Sequence, residues 1–466
     1  MEMLTQWINS INDVLWSYIL IIMLLGCALW FTFKTKFVQF RMLKEMIRLL
    51  GDSTGKSEGK EHHISSFQAF AVSLASRVGT GNLAGVATAI TIGGPGAVFW
   101  MWIIALLGAS SAFVESTLAQ LYKVHGKTSY IGGPAYYMKN GLKQPWMGIL
   151  FSVLIIFTFA FAFNTVQSNT ICAAFEKAFQ VDHTLMGSIL TILTLVIIFG
   201  GVQRIAKISG IIVPVMAIGY ILLALVIVGM NITHLPDVMM LIVRSAFGWE
   251  QALGGGIGMT LMQGIKRGLF SNEAGMGSAP NVAASADVTH PVKQGLIQTL
   301  GVFTDTLIIC SCTAFIILFS GVYQNGEANG IQLTQMALDN EIGSGGSTFV
   351  AIAILFFAFS SIIGNYFYGE ANLRHLTENK KIVVLFRIMT GGMVMFGALA
   401  SLDLAWSLAD VCMALMTICN LIAITLLGKY AFRLLEDYRE QKRHGIKDPV
   451  FTKDKMKDIQ QDIECW

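Results

Sequence analysis

The sequence predicts an all-α integral membrane protein with eleven transmembrane helices. Of its 466 residues, 54% are hydrophobic and only 13% are charged, whereas about 25% of the residues in a soluble domain are charged. The mean hydropathy is +0.62, and apolar runs of about 20 residues, the length that crosses a bilayer as a helix, recur along the chain. The net charge of +3 is small, and no basic run is interleaved with aromatic residues, so we expect no nucleic-acid partner.

The apolar runs set the positions of the eleven spans. They are residues 14–33, 66–91, 97–122, 146–170, 185–201, 208–230, 250–284 (interrupted), 295–321, 347–368, 383–401 and 404–428. Residues 34–50 mix Phe and Leu with Lys and Arg, which predicts an amphipathic interfacial helix. No connecting segment is long enough for a soluble domain.

Basic residues in the loops predict the orientation. If the N-terminus is outside, 26 of the 32 Lys and Arg residues fall in the inner loops and the tail from residue 429, and only Lys177 and Arg244 fall in outer segments. Cytoplasmic loops carry this excess of basic residues. We therefore expect a multi-pass protein of the cell membrane with a cytoplasmic C-terminus. The tail is rich in charges of both signs, so we expect it to be solvated and partly helical.

Two segments far apart in the chain share one polar pattern. RVGTGNLAG (Arg77 to Gly85) and RGLFSNEAG (Arg267 to Gly275) each have an Arg, an Asn five residues later, and then Ala-Gly after one more residue. They lie in spans 2 and 7, which run in opposite directions, so spans 2–6 and 7–11 form two inverted sets of five. Such inverted repeats with interrupted helices are typical of secondary transporters. Close helix packing through small residues is the alternative, but it does not explain the charged and amide side chains.

This division predicts four parts of the chain. They are an extra N-terminal helix with a basic loop (1–63), the first repeat (64–230), the second repeat (231–428) and the cytoplasmic tail (429–466).

The glycines of both segments allow the backbone to leave helical geometry. A broken helix in a membrane presents free N–H groups at the start of its second half, which favour a carboxylate. It also presents free carbonyls at the end of its first half, which favour Na⁺ or an ammonium group. The pattern therefore predicts a site for a zwitterion together with a cation.

The segments SRVGTGNLAGVATAITIGGPGAVFWMW (Ser76 to Trp102) and KRGLFSNEAGMGSAP (Lys266 to Pro280) resemble the signature segments of the alanine or glycine:cation symporters. This family of sodium:alanine symporters belongs to the amino-acid, polyamine and organocation group. The resemblance extends over essentially the whole chain. It implies a LeuT-type fold and sodium-coupled uptake of a small neutral amino acid, with no cofactor and a monomer as the functional unit. It leaves open the choice among alanine, glycine, serine and glutamine, and between Na⁺ and H⁺.

The resemblance also implies residues for the substrate. Thr80 and Gly81 match the unwound positions whose amides take the carboxylate, and Asn82 follows them. The amino group and side chain of the substrate would face the second break, at Phe270, Ser271 and Asn272.

For the cation, the resemblance implies the carbonyls of Ala75 and Val78 with the hydroxyls of Ser360 or Ser361. A hard cation prefers oxygen ligands of this kind. The alternative is that both serines bond only to their own helix backbone.

The fourth span offers a further pocket wall. Asn164 and Gln167 are three residues apart and share one helix face. Phe161 and Phe163 are two apart, so only one of them can point inward, and we select Phe163 over the alternative that both face lipid. This chain departs from the family pattern at Asn365, where many members carry Trp. A carboxamide there would enlarge the pocket and add hydrogen-bonding groups, which makes glutamine a candidate substrate.

Ionisable residues inside spans are candidates for function. We expect Arg77 to close an inner gate with Glu273 or Glu115, and Arg267 to act at the outer gate. A static ion pair in the bundle interior is the alternative. Asp305 and Asp410 are either a proton relay or packed polar groups, and we expect Lys266 to extend its amine to the interface.

Other classes of protein fit less well. A channel would show a filter motif or rings of pore residues, and the chain has neither. The patterns HExxH and GxxxxGK[ST] are absent, and GxSxG occurs in the polar stretch GDSTGKSEG (51–59) rather than directly after an apolar strand, so an enzyme is not expected. The seven cysteines form no CxxC pair, and we expect them to pack as small apolar side chains.

Overall fold

The computed structural model describes residues 2–52, 64–126, 129–200, 202–248 and 256–466, with the side chains of residues 2–5 and 202–212 left aside. Residues 53–63, the end of the predicted basic loop, lie outside the described residues. The described part is almost wholly helical and includes one two-stranded antiparallel hairpin, β1 (Val124–His125) and β2 (Tyr130–Ile131).

The longer helices follow one another along the chain. They are α1 (Gln6–Lys34), α2 (Leu43–Leu50), α3 (Ser66–Arg77), α4 (Gly81–Gly93), α5 (Ala97–Leu121), α6 (Pro145–Phe179), α7 (His183–Gly200), α8 (Val202–Met230), α9 (Leu235–Ala246), α10 (Ile257–Asn272), α11 (Ala279–Ala283), α12 (Pro291–Ser320), α13 (Gly330–Ile342), α14 (Gly346–Leu376), α15 (Lys380–Leu399) and α16 (Leu402–Arg443). Shorter helical turns are Val38–Arg41, Pro134–Tyr136, Tyr137–Gly141, Val322–Asn325, Lys453–Met456 and Gln460–Asp462. The helical backbone that continues into α1 already begins at Glu2, before the residues whose side chains are described.

Nine of these helices are long and apolar enough to cross a membrane, counted over the described residues. They are α1, α5, α6, α7, α8, α12, α14, α15 and α16, and each corresponds to one predicted uninterrupted span. The structure therefore confirms an all-helical integral membrane protein. The two remaining predicted spans contain helices that are interrupted, α3 with α4 and α10 with α11.

Several helices extend beyond the predicted spans. The predicted inner loop at 202–207 is helical, because α8 begins at Val202. The last helix, α16, continues to Arg443 rather than ending near 428. The predicted outer loop at 321–348 contains α13. Hydropathy identifies only the apolar part of a helix, whereas a helix continues into water where its polar side chains are solvated.

The membrane helices pack as two groups around the interrupted ones. In one group α5 contacts α10 and α12, and in the other α6 and α7 contact α14 and α15. Asn164 and Gln167 on α6 and Ser361 on α14 are buried within the bundle. Buried polar residues at this density within apolar helices indicate that the bundle interior, rather than a surface, holds the functional groups.

The tail is not the solvated segment that its composition predicts. Phe451, Met456, Ile459 and Ile463 are buried against the rest of the protein, and the indole Nε1 of Trp466 donates a hydrogen bond to the Gln120 carbonyl (2.9 Å). The prediction was wrong because a few well-spaced apolar residues suffice to dock a chain that is otherwise polar.

The predicted amphipathic helix is present as α2, and it is tied to α16 through Glu45. The Glu45 carboxylate accepts hydrogen bonds from Arg48 (2.8 Å) and from the Tyr438 hydroxyl (2.6 Å), and Lys442 lies 3.2 Å away. Burial raises the pKa of Glu45, but the hydrogen bonds from Arg48, Tyr438 and Lys442 outweigh it and lower the pKa to about 2.

This pKa predicts a pH dependence of stability. A lowered carboxyl pKa stabilises the folded state above the ordinary value of 4.5, and this contribution is lost as the pH falls toward about 2. We expect Glu45→Gln to lower the thermal unfolding midpoint at pH 6 by the equivalent of about 1 kcal/mol or less, since solvent screens a partly exposed cluster. The difference from the unmodified protein should shrink by pH 3. The exposed Glu327→Gln is the control, and a difference that stays constant with pH would contradict the assignment.

Candidate functional site

The first helix break separates α3 from α4. Val78 has an extended backbone (φ −72°, ψ 104°) directly after Arg77, and the freed amide of Gly79 donates to the side-chain oxygen of Asn82 (2.9 Å). A Cβ on Gly79 would lie 2.6 Å from the Ser361 hydroxyl and 3.2 Å from Gln167 Oε1. Only glycine therefore permits the other two segments to approach the break this closely.

The structure brings Thr80 and Gln167 together. Both the backbone amide and the hydroxyl of Thr80 donate to Gln167 Oε1, at 3.2 and 2.7 Å. Two donors that converge on one oxygen at the start of a half-helix form an arrangement that also suits a carboxylate. Gln167 lies on α6, which places the fourth span against the break as the sequence predicts.

The four oxygens proposed for a cation form two close pairs. The Ser360 hydroxyl is 3.4 Å from the Ala75 carbonyl, and the Ser361 hydroxyl is 3.4 Å from the Val78 carbonyl. Each hydroxyl has a shorter hydrogen bond to the Phe357 carbonyl, at 2.8 and 3.0 Å. With the hydroxyl hydrogens directed at Phe357, the lone pairs of all four oxygens remain for a cation. Two oxygens that bind one hard cation at about 2.4 Å and at a right angle are ~3.4 Å apart.

The second break lies later than the sequence predicts. The helix α10 continues through Phe270, Ser271 and Asn272, and the backbone leaves helical geometry at Glu273 (φ 58°). Gly275 and Gly277 have φ of 87° and 88°, which disfavours other residues. The predicted position was wrong because Asn272 ends the helix with its side chain, which accepts a hydrogen bond from the Ala274 amide (3.0 Å).

One polar network joins the two interrupted helices. The Asn82 side-chain amide donates to the Ser271 hydroxyl (3.0 Å) and to Asp305 Oδ1 (2.7 Å), and Ser271 donates to Asp305 Oδ2 (2.7 Å). Asp305 is buried and also accepts from the Thr306 hydroxyl (2.9 Å). Asp305 was not predicted to lie at this junction, although an acidic residue inside a span was the signal that could have indicated it.

Aromatic rings close one side of the site. The rings of Phe163 and Phe270 are 4.4 Å apart, and those of Phe270 and Trp406 are 4.7 Å apart. A Cβ on Gly81 would lie 3.1 Å from Phe270, so this row of rings lies against the first break. Phe161 instead packs against Phe386, in agreement with the prediction that Phe161 and Phe163 point in different directions.

Asn365 lies beside Asn164 rather than beside Gln167. Its side-chain amide donates to Asn164 Oδ1 (3.0 Å), and Asn164 in turn donates to the Ala160 carbonyl (3.1 Å). Both side chains are buried. The two polar pocket residues predicted on α6 therefore have different partners. Gln167 accepts hydrogen bonds at the first break, and Asn164 accepts one from α14.

A buried ion cluster surrounds Asp410. Its Oδ2 accepts from Arg267 (2.6 Å) and lies 3.5 Å from the Lys266 amine, while the Arg267 guanidinium lies 4.2 Å from the centre of the Trp406 ring. Lys266 is 5% exposed. The prediction that Lys266 reaches the interface was therefore wrong, because Asp410 and the Trp16 ring hold its amine inside the bundle.

Arg77 is buried without the predicted partner. Its Nη1 lies 3.4 Å from the Gln298 carbonyl, and Nε and Nη2 have no hydrogen-bond partner among the described residues. Glu115 instead accepts from the amides of Gly275 (3.0 Å) and Gly277 (3.1 Å), and Glu273 accepts from Ser278. Arg77 interacts electrostatically with both carboxylates and with Asp305, but it forms no hydrogen-bonded pair with Glu273 or Glu115 in this structure.

Two interrupted helices that meet inside a membrane bundle are typical of secondary transporters. The model of the sodium:alanine symporter family matches residues 1–453, and the chain belongs to this family. It is 54% identical to the probable sodium/glutamine symporter GlnT of Bacillus subtilis, over 100% of this chain and 96% of that protein. It is also 50% identical to the amino-acid carrier protein AlsT of the same species, over 98% and 97% of the two chains. The sodium/alanine symporter AgcS of Methanococcus maripaludis is 37% identical, over 95% and 98%.

Gly79→Ala tests the close approach at the first break. The added methyl group would lie 2.6 Å from the Ser361 hydroxyl and 3.2 Å from Gln167 Oε1, so we expect uptake to fall at least about tenfold, equivalent to ~1.4 kcal/mol. The measurement is initial uptake of labelled amino acid by reconstituted protein of normal size-exclusion profile. Gly219→Ala on α8, where a Cβ has no neighbour within 4 Å, is the control. Uptake by Gly79→Ala that equals the control would contradict the geometry.

Asp410→Asn tests the buried ion cluster. The change leaves the charges of Arg267 and Lys266 without their counter-ion, and removal of one partner from a buried pair costs about 3–5 kcal/mol. We expect a clear drop in the thermal unfolding midpoint of the detergent-purified protein. Asp403→Asn, at an exposed position in the first turn of the same helix, should leave the midpoint nearly unchanged. Equal midpoints for the two variants would show that the cluster does not stabilise the fold.

Proposed function

We propose that this protein is a sodium-coupled symporter that imports a small neutral amino acid by alternating access. The observation that carries the proposal is the position of Gly79 between two sets of polar groups. On one side lie the four oxygens around Val78 and Ser361, and on the other lie the two donors of Thr80 with Gln167. A cation site and a carboxylate site one residue apart provide a physical basis for coupling.

The coupling acts through the backbone of residues 78–80. A cation that binds the Val78 carbonyl fixes the peptide plane between Val78 and Gly79, including the Gly79 amide, and so restricts the segment that leads to the Thr80 amide. A carboxylate bound at Thr80 in turn restricts the same segment and favours the cation. This mutual effect on affinity is required of any two linked sites, and it permits an ion gradient to drive accumulation of the amino acid.

The packing supports a LeuT-type inverted repeat, with spans 2–6 and 7–11 as the two halves. The second members of the two sets, α5 and α12, contact each other, as do the third members, α6 and α14, and the fourth members, α7 and α15. A two-fold axis between inverted repeats produces this pairing of equivalent helices. The loop charges support an extracellular N-terminus and a cytoplasmic C-terminus.

In this arrangement the substrate lies between the two breaks. Its carboxylate binds at Thr80, its amino group faces Ser271 and Asp305, and its side chain packs on Phe163 and Phe270. The aromatic wall limits the size of the side chain. Asn365 and Asn164 add polar groups beside the site, and one relative is named a probable sodium/glutamine symporter. We therefore include glutamine with alanine and glycine among the substrates.

The buried charges act as gates. Arg267 on Asp410 closes the outer side, in agreement with the short contact between them. Arg77 closes the inner side when it pairs with Glu273 or Glu115, which lie within its electrostatic reach. A single polypeptide contains both gates and both sites, so a monomer suffices for transport.

Proton coupling is the second candidate. Asp305 is a buried carboxylate at the junction of the two interrupted helices, a position at which a proton could replace a metal cation. Two relatives are named as sodium/proton-dependent alanine carriers, one of them putative.

The test is uptake of labelled alanine, glycine and glutamine into proteoliposomes. With an inward Na⁺ gradient we expect accumulation, and replacement of Na⁺ by choline should abolish it. Ser361→Ala should raise the Na⁺ concentration for half-maximal uptake by about tenfold or more, since a bond to a charged group contributes ~1.5–3 kcal/mol.

Ser188→Ala on α7 is the matched control, because the Ser188 hydroxyl bonds only to the Thr184 carbonyl of its own helix. Uptake that persists in choline and follows an inward pH gradient would overturn sodium coupling in favour of protons. Failure to transport any of the three amino acids would overturn the substrate class, and indifference to glutamine alone would remove it from the set.

A further inference from the structure

The hairpin β1–β2 and the end of the tail form a second polar cluster, far from the helix breaks. Trp466 anchors the tail there, because its indole bonds to Gln120 (2.9 Å) and its ring lies 5.6 Å from that of Phe451. Glu464 Oε1 accepts a hydrogen bond from the His125 backbone amide (3.0 Å). Two segments separated by more than 300 residues are thus held in a fixed register.

Three potential metal ligands meet in this cluster. A ring nitrogen of His125, a carboxylate oxygen of Glu464 and the thiol of Cys465 all lie within 4.8 Å of one another. Zinc binds these three ligand types at about 2.0–2.3 Å, which places tetrahedral ligand atoms ~3.3–3.8 Å apart. Side-chain movements of about 1 Å would bring the three ligand atoms to these separations. The cysteine is not in a disulfide.

We propose that His125, Glu464 and Cys465 bind a divalent cation of the zinc class, with solvent in a fourth position. The donor set determines the class of metal. Calcium and magnesium prefer oxygen ligands alone, whereas one thiol, one imidazole and one carboxylate suit a borderline-soft ion. The ion is distinct from the transported cation, whose predicted site consists only of oxygens.

A bound ion would hold the end of the tail against the inner loops. Between α16 and Cys465 the tail already contacts the loop before α12, where the Phe451 amide donates to the Thr289 carbonyl (2.9 Å) and the Thr289 hydroxyl donates to the Pro449 carbonyl (2.9 Å). Lys143 lies 3.2 Å from Asp462. A metal at the far end adds a bond that exists only in the docked tail, so it stabilises that arrangement by mass action.

The test uses the full-length protein in detergent with His62→Ala and His63→Ala, since these two histidines lie outside the described residues and could bind metal themselves. Zn²⁺ is titrated against a chromophoric chelator after metal removal. We expect about one equivalent, with affinity at least tenfold lower in His125→Ala and in Cys465→Ser. Cys412→Ser and His444→Ala are the matched controls and should bind as the parent protein does. Co²⁺ should give the charge-transfer band of a cobalt–thiolate bond, which Cys465→Ser abolishes.

A second measurement does not depend on the variants. In protein that retains His125 and Cys465, Zn²⁺ should protect Cys465 from maleimide labelling, whereas Mg²⁺ should not. Unaltered affinity in both His125→Ala and Cys465→Ser, the absence of binding at micromolar Zn²⁺, or equal protection by Mg²⁺ would each overturn the site. None of these results bears on sodium-coupled uptake, which the uptake assay tests separately.

Discussion

The structure depends on how the freed peptide groups of the two helix breaks are satisfied inside the membrane. An unbonded amide in hydrocarbon costs several kcal/mol, roughly the stability of a whole domain if repeated. Five amides at the breaks donate to side-chain acceptors: Gly79 to Asn82, Thr80 to Gln167, Ala274 to Asn272, and Gly275 and Gly277 to Glu115. The breaks persist because acceptors are present both in the interrupted helices, at Asn82 and Asn272, and in the neighbouring helices α6 and α5, at Gln167 and Glu115.

The buried charged side chains form two groups, one with more cationic than anionic side chains and one with the reverse. Asp410 faces two cationic side chains, whereas Arg77 lies among the carboxylates of Glu115, Glu273 and Asp305 and hydrogen-bonds to none of them with Nε or Nη2. A buried guanidinium with unused donors is costly unless another arrangement of the bundle supplies acceptors. Arg267 also has two donors, Nε and Nη1, without a partner among the described residues. The two groups therefore differ in ion pairing, since Arg267 hydrogen-bonds to the carboxylate of Asp410 and Arg77 hydrogen-bonds to none of its three neighbouring carboxylates.

Much of the fold could be predicted from local sequence, because hydropathy identifies apolar helices and the Gly-rich patterns identify their interruptions. The first break follows from such reasoning, and Gln167 follows from its spacing on a helix face, whereas Ser360 and Ser361 were implied by the resemblance to the symporter family. The second break was misplaced by a few residues, since its end depends on Asn272 and on Glu115, 160 residues away from Gly275. The docked tail was missed for the same reason. Its apolar residues are too few to form a pattern, and only their partners in the folded protein show that they are buried.

The chemistry of the acceptors distinguishes the two breaks. At the second break a carboxylate, Glu115, holds two amides and also accepts from the Asn420 side chain (2.8 Å). A ligand carboxylate gains little by displacing it, because both oxygens of Glu115 already accept hydrogen bonds from donors held by the fold. At the first break the acceptors are neutral carboxamides of Asn82 and Gln167, which a carboxylate can replace with a gain in free energy. The first break is therefore suited to exchange its acceptor for a ligand, and the second is suited to keep its shape while that exchange takes place.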